Sequence, residues 1–581
     1  MKAAAPDEVM VVDGAEPETA VWEAPGPGLW RRDDTHQNAP TSNYFWHVFD
    51  ANFNEGIRSA SKRYGLLLDR FDNRNVRGWI YSRLRPVGAP EKPGGLPPRF
   101  VFKLMFRVHP ELRRRRRAAR RAVAERLWRR DAERWQDEVR DRFRARLKSL
   151  QSVDPTRLDD PSLRQHVDDV SRALSAGFEA HFSNMMAHWV GVGDWATKTC
   201  AWTGIDPAAA LSLLAGASTA SVDPVGYVDA IAAAVRGTPG AVQLLRDGQI
   251  SPEERLQRLR GSSPEIARAL DAYLEEHGHR IVTGFDLLDK TTLELPQTVL
   301  ETISARLETP ERAPLAGSEQ RVDRVRERVP AEKQAAFDEL FEDARLLYGL
   351  RDDDVGPSFE WPMGLLRRAL TAAGARMKER GLVVDVGDVF EATPAEVQGL
   401  LGGPGPRPSS EELARRADQR RRWTGVFPPL ELGEDEGPAP PSEWMPPEVA
   451  RINDALMFSS TLEEWDLRPR VESTAVELGG HPASPGRYEG TARVVLDPSD
   501  LDRLRQGDVL VARLTTPAYN VVLPLLGAIV TDSGGVLSHP AIVAREFGIP
   551  AVVGTTEATK RIADGATVVV DGDRGVVLIG S

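Results

Sequence analysis

The chain has 581 residues, a formal net charge of −11 and one cysteine. That length holds several domains and a large core, and the acidic balance argues against general nucleic-acid binding. A single thiol excludes a disulfide framework and suits the cytoplasm; no apolar run nears the ~18 residues of a membrane span, and the acidic N-terminus is no signal peptide.

In chain order, residues 1–44 are expected to be a partly ordered lead-in, because their first thirty are rich in Ala, Pro, Glu and Gly. Residues 45–401 read as a mostly α-helical domain. Its strong strand candidates within the first hundred residues are Arg63–Leu68 and Trp79–Ser82. From Glu111 to Leu150 an amphipathic helix or helix pair is predicted, with Trp128, Ala132, Trp135, Val139, Phe143, Leu147 and Leu150 at spacings of three and four. The basic run Arg113–Arg117 reads as a solvated, salt-bridged helix face. Further helices are predicted at 161–186, 206–215, 224–236, 252–259, 264–277, 296–307, 331–348, 363–380 and 393–400. His181 and His188 are seven apart, two turns of a continuous helix, too far for one ion, and no metal site is expected. Cys200, Trp189, Trp195 and Trp202 read as packing residues.

Residues 402–447, including LGGPGPRPSS and GEDEGPAPPSEW, are expected to be a Pro/Gly/acid-rich linker, and 448–480 a connecting helical segment. Residues 481–581 form the last domain, a small α/β fold. Within it, Ala528–Thr531 is β-branched and apolar, as a buried strand should be. Gly534 and Gly535 break the pattern, Ser538 is a natural N-cap, and Pro540 fits a first helical turn. The helix then runs from Ala541 to Phe547 and stops at Gly548, before a strand at Ile549–Val553. His539 therefore stands where a glycine turn meets a helix N-terminus, a setting that stabilises a phosphate on its imidazole.

Over Arg487 to Ile579 the chain resembles the swivelling phosphohistidine domain of the phosphoenolpyruvate-utilising enzymes. The resemblance rests on Gly490-Thr-Ala-Arg-Val, Gly507-Asp-Val-Leu-Val-Ala, Thr515-Thr-Pro517, Gly534-Gly535, Ser538-His539, Ala544-Arg-Glu546, Gly548-Ile-Pro550 and Asp571-Gly572. It implies that His539 is the phosphorylated residue. Ser533, Gly534, Gly535 and Ser538 are then candidates to bind the phosphate, together with backbone N–H groups from Gly535 to Ala541. Pro540, where many members keep an N–H, removes one such donor. Arg545 is expected in a structural salt bridge.

Sparser motifs in the helical region are similar to landmarks of the substrate-binding part of rifampin phosphotransferase and its relatives. They are Trp30-Arg-Arg-Asp-Asp-Thr-His36, Gly278-His-Arg280 with Asp286 and Pro296, Ala344-Arg345 with Arg351, and Gly387-Asp-Val-Phe390. His279 and Arg280 are weak candidates for substrate binding or, equally, cations closing a helix C-terminus. Ile281–Leu287 lacks the glutamate common in the family segment. No ATP-grasp region and no phosphoenolpyruvate-binding barrel are recognisable. The resemblance thus implies a phosphotransferase that needs a separate ATP-grasp partner. That partner would supply ATP and Mg²⁺, and the acceptor would be a hydroxyl of a small organic molecule. A dehydratase-like use of the phosphate and a non-catalytic scaffold remain as alternatives.

Overall fold

The computed structural model describes residues 17, 20–88, 96–217, 223–308, 318–435, 437, 439–462, 473–474, 476–496, 498–516, 519 and 522–580. Residues 1–16 of the expected lead-in, and Pro517, lie outside them. Two compact units divide the chain. The first comprises Met1–Val190, Phe285–Asp289 and Asp354–Asp454; the second comprises Gly191–Gly284, Lys290–Asp353 and Ala455–Ser581. The chain therefore changes unit five times, and the helical region expected as one domain over 45–401 is shared between both.

The first unit pairs helices with an antiparallel sheet of order β2-β3-β1-β4, where β1 is Trp30–Arg32, β2 Leu68–Val76, β3 Trp79–Pro86 and β4 Glu431–Leu432. Val76 faces Trp79 across a two-residue turn, Arg77 and Gly78 having φ of 55° and 90°. Positive φ at both positions gives the turn the twist of the flanking strands. The predicted Arg63–Leu68 strand is corrected: Arg63 and Tyr64 end the helix Asn43–Tyr64, and Gly65 closes it at φ 74°. A Cβ at Gly65 would lie 2.2 Å from the Arg115 carbonyl oxygen, so tertiary packing decides where this helix stops. The Glu111–Leu150 segment is broken by Arg126 at φ 49° and by a π-helical turn at Trp135–Val139. Within the basic run, Arg115 is buried and donates to the Leu66 carbonyl at 3.1 Å, so that face is only partly solvated.

The expected linker over 402–447 is also corrected, because it contributes folded structure to the first unit. Ser409 caps a helix over Ser410–Arg422 by accepting from the Glu412 amide at 3.2 Å. Leu413 is fully buried, and Arg416 binds both oxygens of Glu396 at 2.8 and 3.1 Å. Pro and Gly cluster on either side of this helix, and their density masked a Ser-x-x-Glu start.

In the second unit, the helices Asp223–Gly237, Pro252–Ser262, Pro264–His277 and Pro296–Glu308 enclose a core of Ile231, Val235, Leu259, Ile266, Leu270 and Ile303. The predicted 161–186 helix is longer than expected, running over Asp160–Thr203, and passes into this unit at Gly191. The C-terminal sheet has eight strands: β5 Glu477–Gly479, β6 His481–Ser484, β7 Arg487–Val495, β8 Val509–Ala512, β9 Ala528–Thr531, β10 Ala551–Val553, β11 Thr567–Asp571 and β12 Val576–Ile579. Their order is β5-β12-β11-β7-β8-β9-β10-β6, with β7 to β10 mutually parallel. Alternate residues of β8 and β9 enter two different cores: Leu510 and Ile529 in one, Val509, Val511, Ala528 and Val530 in the other. Burial on both faces explains why these strands read as unbroken apolar runs. β5 shows that the 448–480 segment is not wholly helical; its helix is Pro447–Ser460, and 463–472 lies outside the described residues.

Candidate functional site

β9 ends at Thr531, and the chain turns through Asp532–Ser538 into a helix whose first residue is His539. Ser538 has the extended N-cap conformation, Pro540 occupies the first turn, and Gly548 closes the helix at φ 62°. Gly534 adopts φ 104°, and a Cβ there would stand 2.6 Å from Ser538 Oγ. A Cβ on Gly554 would lie 2.8 Å from the Gly534 carbonyl oxygen, so the turn is packed against the end of β10. Sequence position alone set this local frame, since each signal lies within ten residues of His539.

His539 is half-buried at the helix entrance rather than on an open loop. Its Nδ1 lies 2.8 Å from the hydroxyl of buried Thr515. Strand pairing delivers that contact: β8 runs parallel to β9 with Ala512 opposite Thr531, so the segment after β8 emerges beside the helix start. When Nδ1–H donates to Thr515 Oγ1, Nε2 carries the lone pair and becomes the nucleophilic nitrogen. Sequence reasoning recorded Thr515 within a motif and gave it no role. Only the strand register reveals it.

The proposed phosphate-binding residues are brought together around the turn, and several of their donors are already engaged. The Ser538 hydroxyl donates to the Gly535 carbonyl at 2.7 Å, as does the Ser538 amide at 3.0 Å. The Leu537 amide donates to Leu462 at 3.4 Å and the Ala541 amide to Ser538 at 3.0 Å. The expected set of free amides from Gly535 to Ala541 is therefore smaller than the sequence suggests. Ser533 is buried, its carbonyl accepting from the Thr531 hydroxyl at 2.7 Å. Beside it, burial pushes the Asp532 carboxyl above the usual range, against the pull of Thr559 hydrogen bonds and Arg513.

Two arginines hold the same turn. Arg351, from the helix Gln334–Val355, donates to the carbonyl of Leu537, two residues before His539. It brings a permanent positive charge to the turn. The salt bridge expected for Arg545 is replaced by carbonyl contacts. Its buried guanidinium donates to Ala483 at 3.0 Å and to Val536, tying the turn to β6. Carbonyls suit this position because a buried carboxylate would add a desolvation cost. His279 and Arg280 precede Val282, whose carbonyl accepts from Thr516 Oγ1 at 2.8 Å, one residue after Thr515. Arg280 donates to the Glu276 carbonyl at 3.0 Å in the last turn of Pro264–His277, the helix-closing arrangement.

Comparison with known proteins matches two family models. The PEP-utilising enzyme mobile domain matches residues 504–575, and the rifampicin phosphotransferase fourth domain matches residues 170–352. The chain carries both of these phosphotransferase-family domains. Among curated relatives, chondramide synthase of Chondromyces crocatus is 34% identical over 361 residues, covering 59% of this chain and 9% of that protein. Phosphoenolpyruvate synthase of Aeropyrum pernix is 42% identical over 147 residues, 24% of this chain and 18% of the synthase. An uncharacterized protein of Mycobacterium tuberculosis is 29% identical over 371 residues, 62% of this chain and 37% of that protein. The chain thus spans well under two thirds of each of these relatives. No helix among the described residues is long and apolar enough to cross a membrane.

Proposed function

We propose that His539 carries a phosphoryl group from an ATP-grasp donor to a hydroxyl of a small organic acceptor bound by the helical part of the protein. The observation that carries this reading is the Thr515 contact of 2.8 Å at His539 Nδ1, on a half-buried imidazole at a helix N-terminus. In the first step Nε2 forms a bond to phosphorus as the donor's phosphorus–oxygen bond breaks, while Nδ1–H stays on Thr515. In the second the acceptor oxygen bonds phosphorus, the nitrogen–phosphorus bond breaks, and the hydroxyl proton passes to a base. Phosphoryl transition states are loose, so alignment and charge neutralisation supply most of the acceleration. The helix N-terminus and Arg351 support such a role by offering positive potential at the turn. ATP and Mg²⁺ would be held by the donor.

The test uses phosphoramidate, a small phosphoryl donor that needs no partner, alongside ATP labelled at the β or γ phosphate. Phosphoramidate should place one acid-labile, alkali-stable phosphoryl group on His539, and ATP alone should place none. His539→Asn should lower that labelling at least a hundredfold, since it removes the nucleophile. Label that survives in His539→Asn and disappears in Ser538→Ala would overturn the carrier assignment.

A further inference from the structure

The helix Arg99–Val108 of the first unit keeps a stripe of apolar side chains in solvent. Phe100, Leu104 and Val108 stand one turn apart, 73%, 50% and 61% exposed, and Leu96, just before the helix, is 41% exposed. The opposite side packs in the ordinary way: Phe106 is buried, and Phe102 meets Phe106 and Trp444 edge-on at ring distances of 5.6 and 6.0 Å. The body of the unit therefore uses one side of this helix and leaves a second apolar side in water. Other exposed large apolar side chains among the described residues, such as Leu293, Val384 and Leu496, stand singly, which is normal for a protein surface.

A second stripe on the same helix carries Arg99, Lys103 and Arg107, again one turn apart and all exposed. Helical geometry sets it directly beside the apolar stripe, with Arg107 only about 20° around the axis from Phe100. No acid occurs between Lys92 and Pro110. Arg99 to Arg121 holds ten lysines and arginines against Glu111 alone, in a chain whose net charge is −11. Elsewhere on this unit surface arginines answer to a glutamate one turn away, as Arg121 does to Glu125 at 3.0 Å and Arg129 to Glu133 at 2.8 Å. The next helix, Pro110–Glu125, adds exposed Arg113 and Arg117 to the basic side. Arg99 even stands at a helix N-terminus, where the dipole disfavours a cation. Stability of the folded chain does not account for this arrangement.

We propose that this face docks the protein on an anionic lipid surface, with Phe100, Leu104 and Val108 entering the headgroup boundary and Arg99, Lys103 and Arg107 meeting lipid phosphates. Charge decides between the occupants. A basic stripe running the length of an apolar one matches a helix lying in the plane of a negatively charged membrane. Lysine and arginine lay their stems along the apolar stripe and reach past it to phosphate. The contact core of a protein partner would be depleted in lysine, whereas Lys103 borders the middle of the apolar stripe. A second copy of the chain would bring two stripes of the same sign together. The ten-residue helix is about 15 Å long, half the hydrocarbon thickness, so it lies on the membrane and does not cross it. This docking is independent of the chemistry at His539.

The experiment is co-sedimentation of the full chain with vesicles of phosphatidylcholine alone and of phosphatidylcholine and phosphatidylglycerol in equal parts. The parent chain should bind the mixed vesicles about tenfold more tightly than the neutral ones, and added salt should release it. Replacing both cations, Lys103→Gln with Arg107→Gln, should weaken binding to mixed vesicles about tenfold. Phe100→Ser with Leu104→Ser should weaken it by a similar factor of about ten, because the inserted apolar area is lost. All four side chains are exposed, so both double variants should keep the parent melting temperature and the phosphoramidate labelling of His539. Failure to sediment with mixed vesicles, equal binding to the two vesicle types, or full binding in either double variant would overturn the proposal. So would self-association of the parent chain without lipid that Phe100→Ser with Leu104→Ser abolishes, since the occupant would then be a second copy.

Discussion

The C-terminal sheet and the helical regions organise their chemistry in opposite ways. In the sheet, strand, turn, cap and histidine follow one another between Ala528 and Gly548, so the histidine and its turn are written in one continuous stretch. In the helical regions, neighbours in space come from distant segments: Thr41 and the Ser42 amide bind Asp286 at 2.6 and 2.9 Å, across more than two hundred residues. Local signals place the histidine and its cap; they do not place the partners that other segments bring to them.

The comparison is sharpened first by testing whether 402–447 belongs to a folded unit. Leu413→Ala removes a fully buried side chain and should cost about 2–5 kcal/mol, read as a lowered melting temperature. A tether would tolerate the change with no measurable loss. Next, Gly534→Ala should cost about 1–3 kcal/mol, because φ of 104° disfavours any side chain and the new Cβ meets Ser538. Thermal melting is the readout here as well, and an unchanged transition would mean that the turn is more pliable than its contacts imply. Thr515→Val should slow phosphoramidate labelling about tenfold, equivalent to ~1.4 kcal/mol, with Thr515→Ser restoring the rate. Equal rates in all three proteins would detach Thr515 from the imidazole's reactivity.

The smallest effect concerns Asp532, whose carboxyl burial raises. A raised carboxyl opposes folding when ionised. That opposition is full above the folded pKa and fades as pH falls through it toward the ordinary value of about 4. Asp532→Asn should therefore be relatively more stable near neutrality, by less than about 1 kcal/mol, with the difference closing in acid. A difference that instead grows on acidification would reverse the sign and point to the Thr559 hydrogen bonds as the dominant influence.

Much of the helical content was legible because amphipathic spacing and capping act locally. The helices Pro264–His277 and Pro394–Leu400 fall within one residue of their predicted ends, each with an N-cap hydroxyl and a proline behind it. The misplacements arose where tertiary contacts decide. Gly65 stops a helix because Arg115 leaves no room for a side chain, and Leu413 turns a Pro/Gly-rich stretch into packed structure. At the site, His539 and its turn were readable. Thr515 and Arg351 were visible only as motif members, because strand register and a helix from the rifampicin phosphotransferase-like domain bring them to the turn. The Asp354–His181 pair spans 173 residues, and no local pattern encodes it.

The chain's five changes of unit have a consequence for how such a protein can be assembled over generations. The helical segments are interleaved, so no single cut separates one set from the other, and a recombination event inside them would sever both. The eight-stranded sheet is reached within this sequence by one connection after Asp454. That single junction does not make the sheet a separate piece: Val282 packs against its core and Arg351 holds the Leu537 carbonyl, so the sheet and the helices of the second unit must be inherited together.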